Sequence, residues 1–169
     1  LKKLSFVYLY KNKLSGEIPR VVEALELTDV DLSDNSLSGT IPDDFGKLEK
    51  AQILNLFYNN LSGEIPESIS RLPKLIEFSV FTNNLSGPIP ADFGRYSMLE
   101  VFQVDSNRLY GELPEHLCSN GKLDGVSAYD NFLSGELPKS LGNCSSVRII
   151  LLSNNSFSRE VPAGLWTGS

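Results

Sequence analysis

The chain has 169 residues and carries 15 Lys plus Arg against 21 Asp plus Glu, a net charge of -6. That length supports one domain with its own core, and the acidic balance repels phosphate backbones, which argues against a nucleic-acid partner. A 41% apolar and 21% charged composition fits an ordered globular chain, no apolar run reaches transmembrane length, and two cysteines with one histidine make neither a disulfide scaffold nor a zinc set.

The dominant signal is an internal repeat. An Asn recurs at 12, 35, 59, 83, 107, 131 and 155, spaced first by 23 and then by 24 residues. In the first coil Val7 and Leu9 alternate ahead of Asn12, and Leu14, Gly16, Ile18-Pro19 and Val22 come after it. The second coil repeats this as Val30, Leu32, Asn35, Leu37, Gly39, Ile41-Pro42 and Phe45. The third has Leu54, Leu56, Asn59, Leu61, Gly63, Ile65-Pro66 and Ile69; the fourth has Phe78, Val80, Asn83, Leu85, Gly87, Ile89-Pro90 and Phe93. Coil five runs Phe102, Val104, Asn107, Leu109, Gly111, Leu113-Pro114 and Leu117, and coil six Val126, Ala128, Asn131, Leu133, Gly135, Leu137-Pro138 and Leu141. Coil seven closes the series with Ile150, Leu152, Asn155, Phe157, Val161-Pro162 and Leu165.

Each feature of the repeat has a physical reading. Apolar residues at alternate positions before the Asn predict a short strand with one buried face, stacked in parallel on its neighbours about 4.8 Å apart. The Asn ends the strand and turns inward, where its amide satisfies backbone groups of adjacent coils. The glycine marks a tight bend, and the proline suits an irregular or 3-10 return better than a long helix. The expected fold is therefore an α/β repeat solenoid of seven coils over residues 1–169, with one short parallel strand per 24-residue coil. With Leu1 already at a consensus apolar position and Ser169 near the start of an eighth coil, both ends lack polar caps, so the chain is expected to be a piece of a larger protein.

The segments LSGEIP at 14–19, LSGTIP at 37–42, LSGEIP at 61–66 and LSGPIP at 85–90 resemble the plant-specific class of leucine-rich repeats. ELPEHLCSNGKL at 112–123, LGNCSSV at 141–147 and VPAGLW at 161–166 are similar to the ectodomains of HAESA-like receptor kinases. The resemblance implies a right-handed superhelix with a concave parallel sheet. It also implies an extracellular position on a single-pass plasma-membrane protein, a secreted peptide as ligand, a leucine-rich-repeat co-receptor kinase as partner, and a Ser/Thr kinase domain elsewhere in the parent. Rival readings are a protein inhibitor of the polygalacturonase-inhibiting type and an immune receptor-like protein without a kinase. The three differ in the segment expected beyond the repeats: a span with a kinase, a cysteine cap, or a span alone.

Function is expected on the outward positions of the strands, which lie six, four, two and one residues before each Asn. The position two before the Asn is rich in aromatics, giving Tyr10, Phe57, Phe81 and Tyr129, with Tyr58 beside the central pair. Aromatics on a wet surface suit the apolar or proline side chains of an extended peptide, although a pair such as Phe57 and Phe81 also serves simply to cover a sheet. The outward positions together hold six acids (Asp29, Asp31, Asp34, Glu77, Asp105, Asp130) and one base, Lys11, which favours a ligand bearing Lys or Arg. Gln103 completes the candidate peptide-binding set of Tyr10, Phe57, Tyr58, Phe81, Gln103, Asp105, Tyr129 and Asp130. Where some HAESA-like receptors carry an Arg-x-Arg pair for a peptide carboxylate, this sequence has Ile149 and Leu151, so a ligand would not be held by that terminus.

Asn60, Asn84, Asn143 and Asn154 head glycosylation sequons. Cys118 and Cys144 lie one coil plus two residues apart; the resemblance favours a disulfide, against the alternative of two buried thiols. No catalytic triad or phosphate loop is present, and three carboxylates on one short strand (Asp29, Asp31, Asp34) coordinate calcium incompletely, so neither an enzyme nor a cofactor is expected.

Overall fold

The computed structural model describes residues 1–167; Ser169, where the repeat places the end of the seventh coil, lies outside them. In chain order the strands are β1 (Phe6–Tyr8), β2 (Ser15–Glu17), β3 (Asp29–Asp31), β4 (Ser36–Thr40), β5 (Ile53–Asn55), β6 (Asn60–Gly63) and β7 (Glu77–Ser79). They continue as β8 (Asn84–Pro88), β9 (Val101–Gln103), β10 (Arg108–Gly111), β11 (Gly125–Ser127), β12 (Phe132–Gly135), β13 (Ile149–Leu151) and β14 (Ser156–Phe157).

The odd-numbered strands pair in parallel as one seven-stranded sheet in the order β1-β3-β5-β7-β9-β11-β13. Its register obeys the repeat: Val30 lies opposite Val7 and Leu54, and Phe102 opposite Phe78 and Val126. These inward residues are the core. Leu54, Leu56, Phe78, Val80, Phe102 and Val104 are all fully buried. The second apolar column of the repeat meets them from the other side of the coil, with Phe45, Ile69, Phe93, Leu117 and Leu141 buried. Phe93 touches both Phe78 and Phe102, with ring centroids 4.9 and 5.0 Å apart. Each such side chain taken from water contributes about 1.5–3 kcal/mol, so the coils are held by neighbours and not by their own short elements.

The return side is short and irregular, as the prolines require. A 3-10 helix covers Asp43–Lys47, another Glu67–Arg71, and single α-turns cover Lys139–Gly142 and Gly164–Thr167. Pro42, Pro66 and Pro138 stand immediately before three of them, where a missing N–H leaves no unmet donor.

A second seven-stranded parallel sheet, β14-β12-β10-β8-β6-β4-β2, lies beside the first and was not foreseen from the sequence. It occupies the Leu-Ser-Gly segments that read as a bend. Leu37, Leu61, Leu85 and Leu133 of these segments are buried, while the glycine takes a positive φ, as at Gly39 (φ 76). A Cβ on Gly39 would lie 2.8 Å from Cγ of Glu17 in the preceding coil, an exposed flexible side chain that can swing aside, so it is the positive φ that demands glycine there. Coil seven departs from this: Arg159 occupies the glycine position at φ 70, and β14 is only two residues long.

The Asn ladder joins the two sheets. Asn107 donates from its amide to the carbonyls of Val104 and Asp105 in its own coil and Val80 in the preceding one, and its Oδ1 accepts the Leu85 N–H at 3.0 Å. Asn35, Asn59, Asn83, Asn131 and Asn155 reproduce the same bridges. Entry into this position requires a left-handed residue just before it: Lys11, Asp34, Tyr58, Thr82, Ser106, Asp130 and Asn154 all have φ between 50 and 55. Such backbone costs about 1–2 kcal/mol per residue in an L-amino acid, which the ladder and the strand pairing offset.

Candidate functional site

The open face of the first sheet presents the side chains that the sequence places outward, in rows that run from coil to coil. At its middle, Phe57 and Phe81 of adjacent coils stack with ring centroids 4.4 Å apart and planes 6° from parallel. Tyr58 meets both edge-on, at 5.8 and 5.2 Å, and is itself half exposed. The left-handed backbone at Tyr58 takes it off the strand row, which brings its ring over the pair beside it. The three form an apolar platform at the middle of a mixed face, which also exposes Phe6 at its first coil and Ile149 and Leu151 at its last.

Two tyrosine–aspartate pairs flank the platform. Tyr8 donates its hydroxyl to Asp29 in the next coil at 2.6 Å, and that bond, with the carboxylate's charge, pushes the phenol above its ordinary pKa. Tyr8 was missed from the sequence; the signal was its place one coil before an acid in the neighbouring row. On the far side, the charge of Asp105 in the preceding coil pushes the Tyr129 phenol up.

Asp105 differs from the expectation of a free groove acid. It is 3% exposed, and Ser127 donates to it at 2.6 Å, so its carboxylate is occupied inside the sheet surface. Asp130 remains exposed and accepts a hydrogen bond from the Asn154 amide at 2.6 Å. Gln103 is half-buried, with its Oε1 taking the hydroxyl of Ser79 at 2.9 Å. Tyr10 is exposed at the first coil, two coils from the platform and outside its contacts. Asp31 bonds to the Ser33 backbone and hydroxyl, and the Oδ1 of Asn55, opposite Asp31 and Ser79, is buried with no hydrogen-bond partner. Ile149 and Leu151 are exposed at the last coil, an apolar surface with no cation in either position.

All four sequon asparagines are exposed. Asn60 and Asn84 open β6 and β8 of the second sheet, Asn143 ends the α-turn on the return side, and Asn154 stands at the rim of the open face. Cys118 and Cys144 form a disulfide with Cα atoms 5.9 Å apart, joining coils five and six on the return side. No helix among the described residues is long and apolar enough to cross a membrane.

Two parallel sheets joined by an asparagine ladder, with prolines on the return, define a leucine-rich-repeat solenoid. The family model described as Leucine Rich Repeat matches residues 26–48 and 50–72. Among solved structures, the Arabidopsis receptor kinase HAESA, in complex with the peptide hormone IDA and the co-receptor SERK1, is 39% identical with a TM-score of 0.95 over 99% of this chain. The plant peptide hormone receptor RGFR1 in complex with RGF2 is 35% identical, with a TM-score of 0.90 over 98% of this chain. PEPR1 with AtPEP1 is 36% identical, with a TM-score of 0.87 over 93%. This chain spans 28%, 27% and 22% of those three chains. No curated protein sequence matches it. By repeat, fold and these likenesses the chain is a leucine-rich-repeat solenoid built like the ectodomains of plant receptor kinases.

Proposed function

We propose that this chain is a ligand-recognition part of a plant receptor-kinase ectodomain of the HAESA-like branch, and that it binds a secreted signalling peptide on the open face of the first sheet. The observation that carries this reading is the aromatic platform of Phe57, Tyr58 and Phe81, set in a face where Asp29, Asp31, Asp34, Glu77 and Asp130 are accessible against one base, Lys11. An extended peptide would lay an apolar or proline side chain on the platform and direct its basic groups to the acids. Support comes from three similar structures whose complexes contain peptides: HAESA with IDA, RGFR1 with RGF2 and PEPR1 with AtPEP1. The parent would cross the plasma membrane once, carry its kinase domain on the cytoplasmic side and recruit a co-receptor kinase, as the HAESA complex with SERK1 suggests. Glycans at Asn60, Asn84 and Asn143 would leave the open face clear, whereas one at Asn154 would crowd its last coil.

The test is titration of secreted plant peptides against the whole ectodomain and its Phe57→Ala/Phe81→Ala variant. Loss of about 2 kcal/mol or more of binding in the variant is expected, since buried aromatic anchors dominate such interfaces. Unchanged affinity would remove this face as the ligand site.

A further inference from the structure

The second sheet carries an exposed aromatic row that the repeat does not ask for. Its outward positions lie one and three residues after each ladder Asn. The residue three after is Ser15, Ser38, Ser62, Ser86, Ser134 and Ser158 in six coils, and Tyr110 in coil five. Strand register sets Tyr110 opposite Pro88 of β8 on one side and Phe132 of β12 on the other. Tyr110 is 53% exposed, Phe132 66%, and Pro88 is exposed as well. Three ring side chains thus adjoin on neighbouring strands and face water, a surface that marks a place where something packs.

A sugar attached to the same sheet can reach it. Asn84, Ser86 and Pro88 alternate along β8 and so share one face, while Leu85 and Gly87 between them are buried. From Asn84 to Pro88 the strand runs about 13 Å, and Tyr110 lies one strand over, about 4.8 Å away. The two N-acetylglucosamine rings that begin an N-glycan reach over that distance, and the small Ser86 leaves the path open. Arg108, exposed opposite Ser86 on β10, borders the path with guanidinium donors for sugar hydroxyls. A pyranose ring has a face of C–H bonds and a rim of polar groups, so it suits an aromatic ring beneath it and donors beside it.

Asn60 supplies the comparison. Its sequon is Asn-Leu-Ser, as is that of Asn84, and it opens β6 at the same place in the repeat. The strand register is also the same: Ser62 lies opposite Asn84 as Ser86 lies opposite Arg108. One coil further on, however, Asn60 meets Ser86 at the position where Asn84 meets Tyr110. Two glycans would be attached alike, and one of them has an aromatic floor.

We propose that the glycan on Asn84 lies down along the second sheet with its core sugars packed on Tyr110, whereas the glycan on Asn60 stands away in solvent. This rests on the extracellular position proposed above and is independent of the peptide site.

The test uses the full chain secreted from plant or insect cells, with mass spectrometry reading occupancy at each sequon and thermal unfolding reading stability. Asn84→Gln is expected to lower Tm by about 2–4 °C and Asn60→Gln by less than about 1 °C. In a Tyr110→Ser background, which installs the residue the other coils carry, the two substitutions should become equal, since the contact that couples Asn84 to Tyr110 is gone. They should also be equal in chain made without glycans, which separates the sugar from the asparagine. In nuclear magnetic resonance spectra the core-sugar protons of Asn84 should be displaced by the Tyr110 ring and return to ordinary positions in Tyr110→Ser. An Asn84 left bare in the secreted chain would overturn the proposal. So would equal effects of the two Gln substitutions with sugar signals unmoved by Tyr110→Ser, which would leave the row to a protein partner. Neither result would touch peptide binding on the open face.

Discussion

Asp105 lies beneath the surface of the open face, 3% exposed, and accepts the Ser127 hydroxyl of the next coil at 2.6 Å. Its charge, fixed in place there, raises the Tyr129 phenol above its ordinary pKa. The raised phenol has a signed consequence. A group whose folded pKa exceeds its unfolded value, about 10 for Tyr, contributes stability below that value and loses it as pH rises through the folded one. In Asp105→Asn the Tyr129 ionisation should move back down towards the ordinary range. The difference in alkaline absorbance titration between Asp105→Asn with Tyr129 and the same variant carrying Tyr129→Phe isolates it. A Tyr129 midpoint unmoved by the substitution would mean that Asp105 does not hold it.

Asn107 is fully engaged in the ladder, 8% exposed and bonded to four backbone groups, in its own coil and the one before it. Asn107→Ala strands the Leu85 N–H, while the Val80 carbonyl keeps its bond from the Asn83 amide. At about 1–3 kcal/mol for a buried group left unpaired, a loss of about 1–3 kcal/mol is expected by denaturant unfolding. Asn12 is exposed and bonds only within its own coil, to the Leu9 and Tyr10 carbonyls, so Asn12→Ala should cost less than about 1 kcal/mol.

Arg159→Gly should stabilise the last coil. Arg159 sits at φ 70 where the other six coils have glycine, a conformation costing about 1–2 kcal/mol that glycine adopts freely. Its ion pair with Glu136 is 3.5 Å long between two mostly exposed side chains and is worth little. Allowing for the larger unfolded-state entropy of glycine, a gain of about 0.5–1 kcal/mol remains. Slower amide hydrogen exchange in β14 would report it; faster exchange there would count against the strain.

Gly94 and Gly121 separate packing from backbone preference. Both have positive φ, +84 and +68. A Cβ at Gly94 would lie 2.2 Å from the His116 carbonyl oxygen and 2.7 Å from the Leu117 Cα, backbone of the next coil that has no room to move, while at Gly121 nothing lies within 4 Å. Gly121→Ala should cost about 1 kcal/mol and Gly94→Ala about 3 kcal/mol or more, measured by thermal unfolding. Equal losses would show that the coils can slide apart at little cost.

The sequence was most informative where a residue's role repeats. Leu54, Phe78 and Phe102 read as core because their period matches a strand face, and each is fully buried. The ladder asparagines read as inward-turned because a strand-ending amide at fixed spacing can satisfy backbone groups between coils, and their bonds match that expectation. The second sheet was hidden because Leu-Ser-Gly satisfies a bend and a strand equally until the neighbouring coil is present to pair with it. Tyr8 was missed and Asp105 was read as free for one reason: a row of outward positions says which side chains share a face, and says nothing of which of them bond to each other.

By itself, then, the sequence determined the seven-coil winding, the composition of the core and the set of side chains that face outward, since these are dictated by period and polarity alone. Only the tertiary structure decided that Phe57, Tyr58 and Phe81 close into one platform, that Asp105 is covered by its bond from Ser127, and that Tyr8 is tied to an acid in the adjacent coil. Those are relations between coils, set by rotamers and left-handed turns that a one-dimensional repeat does not encode.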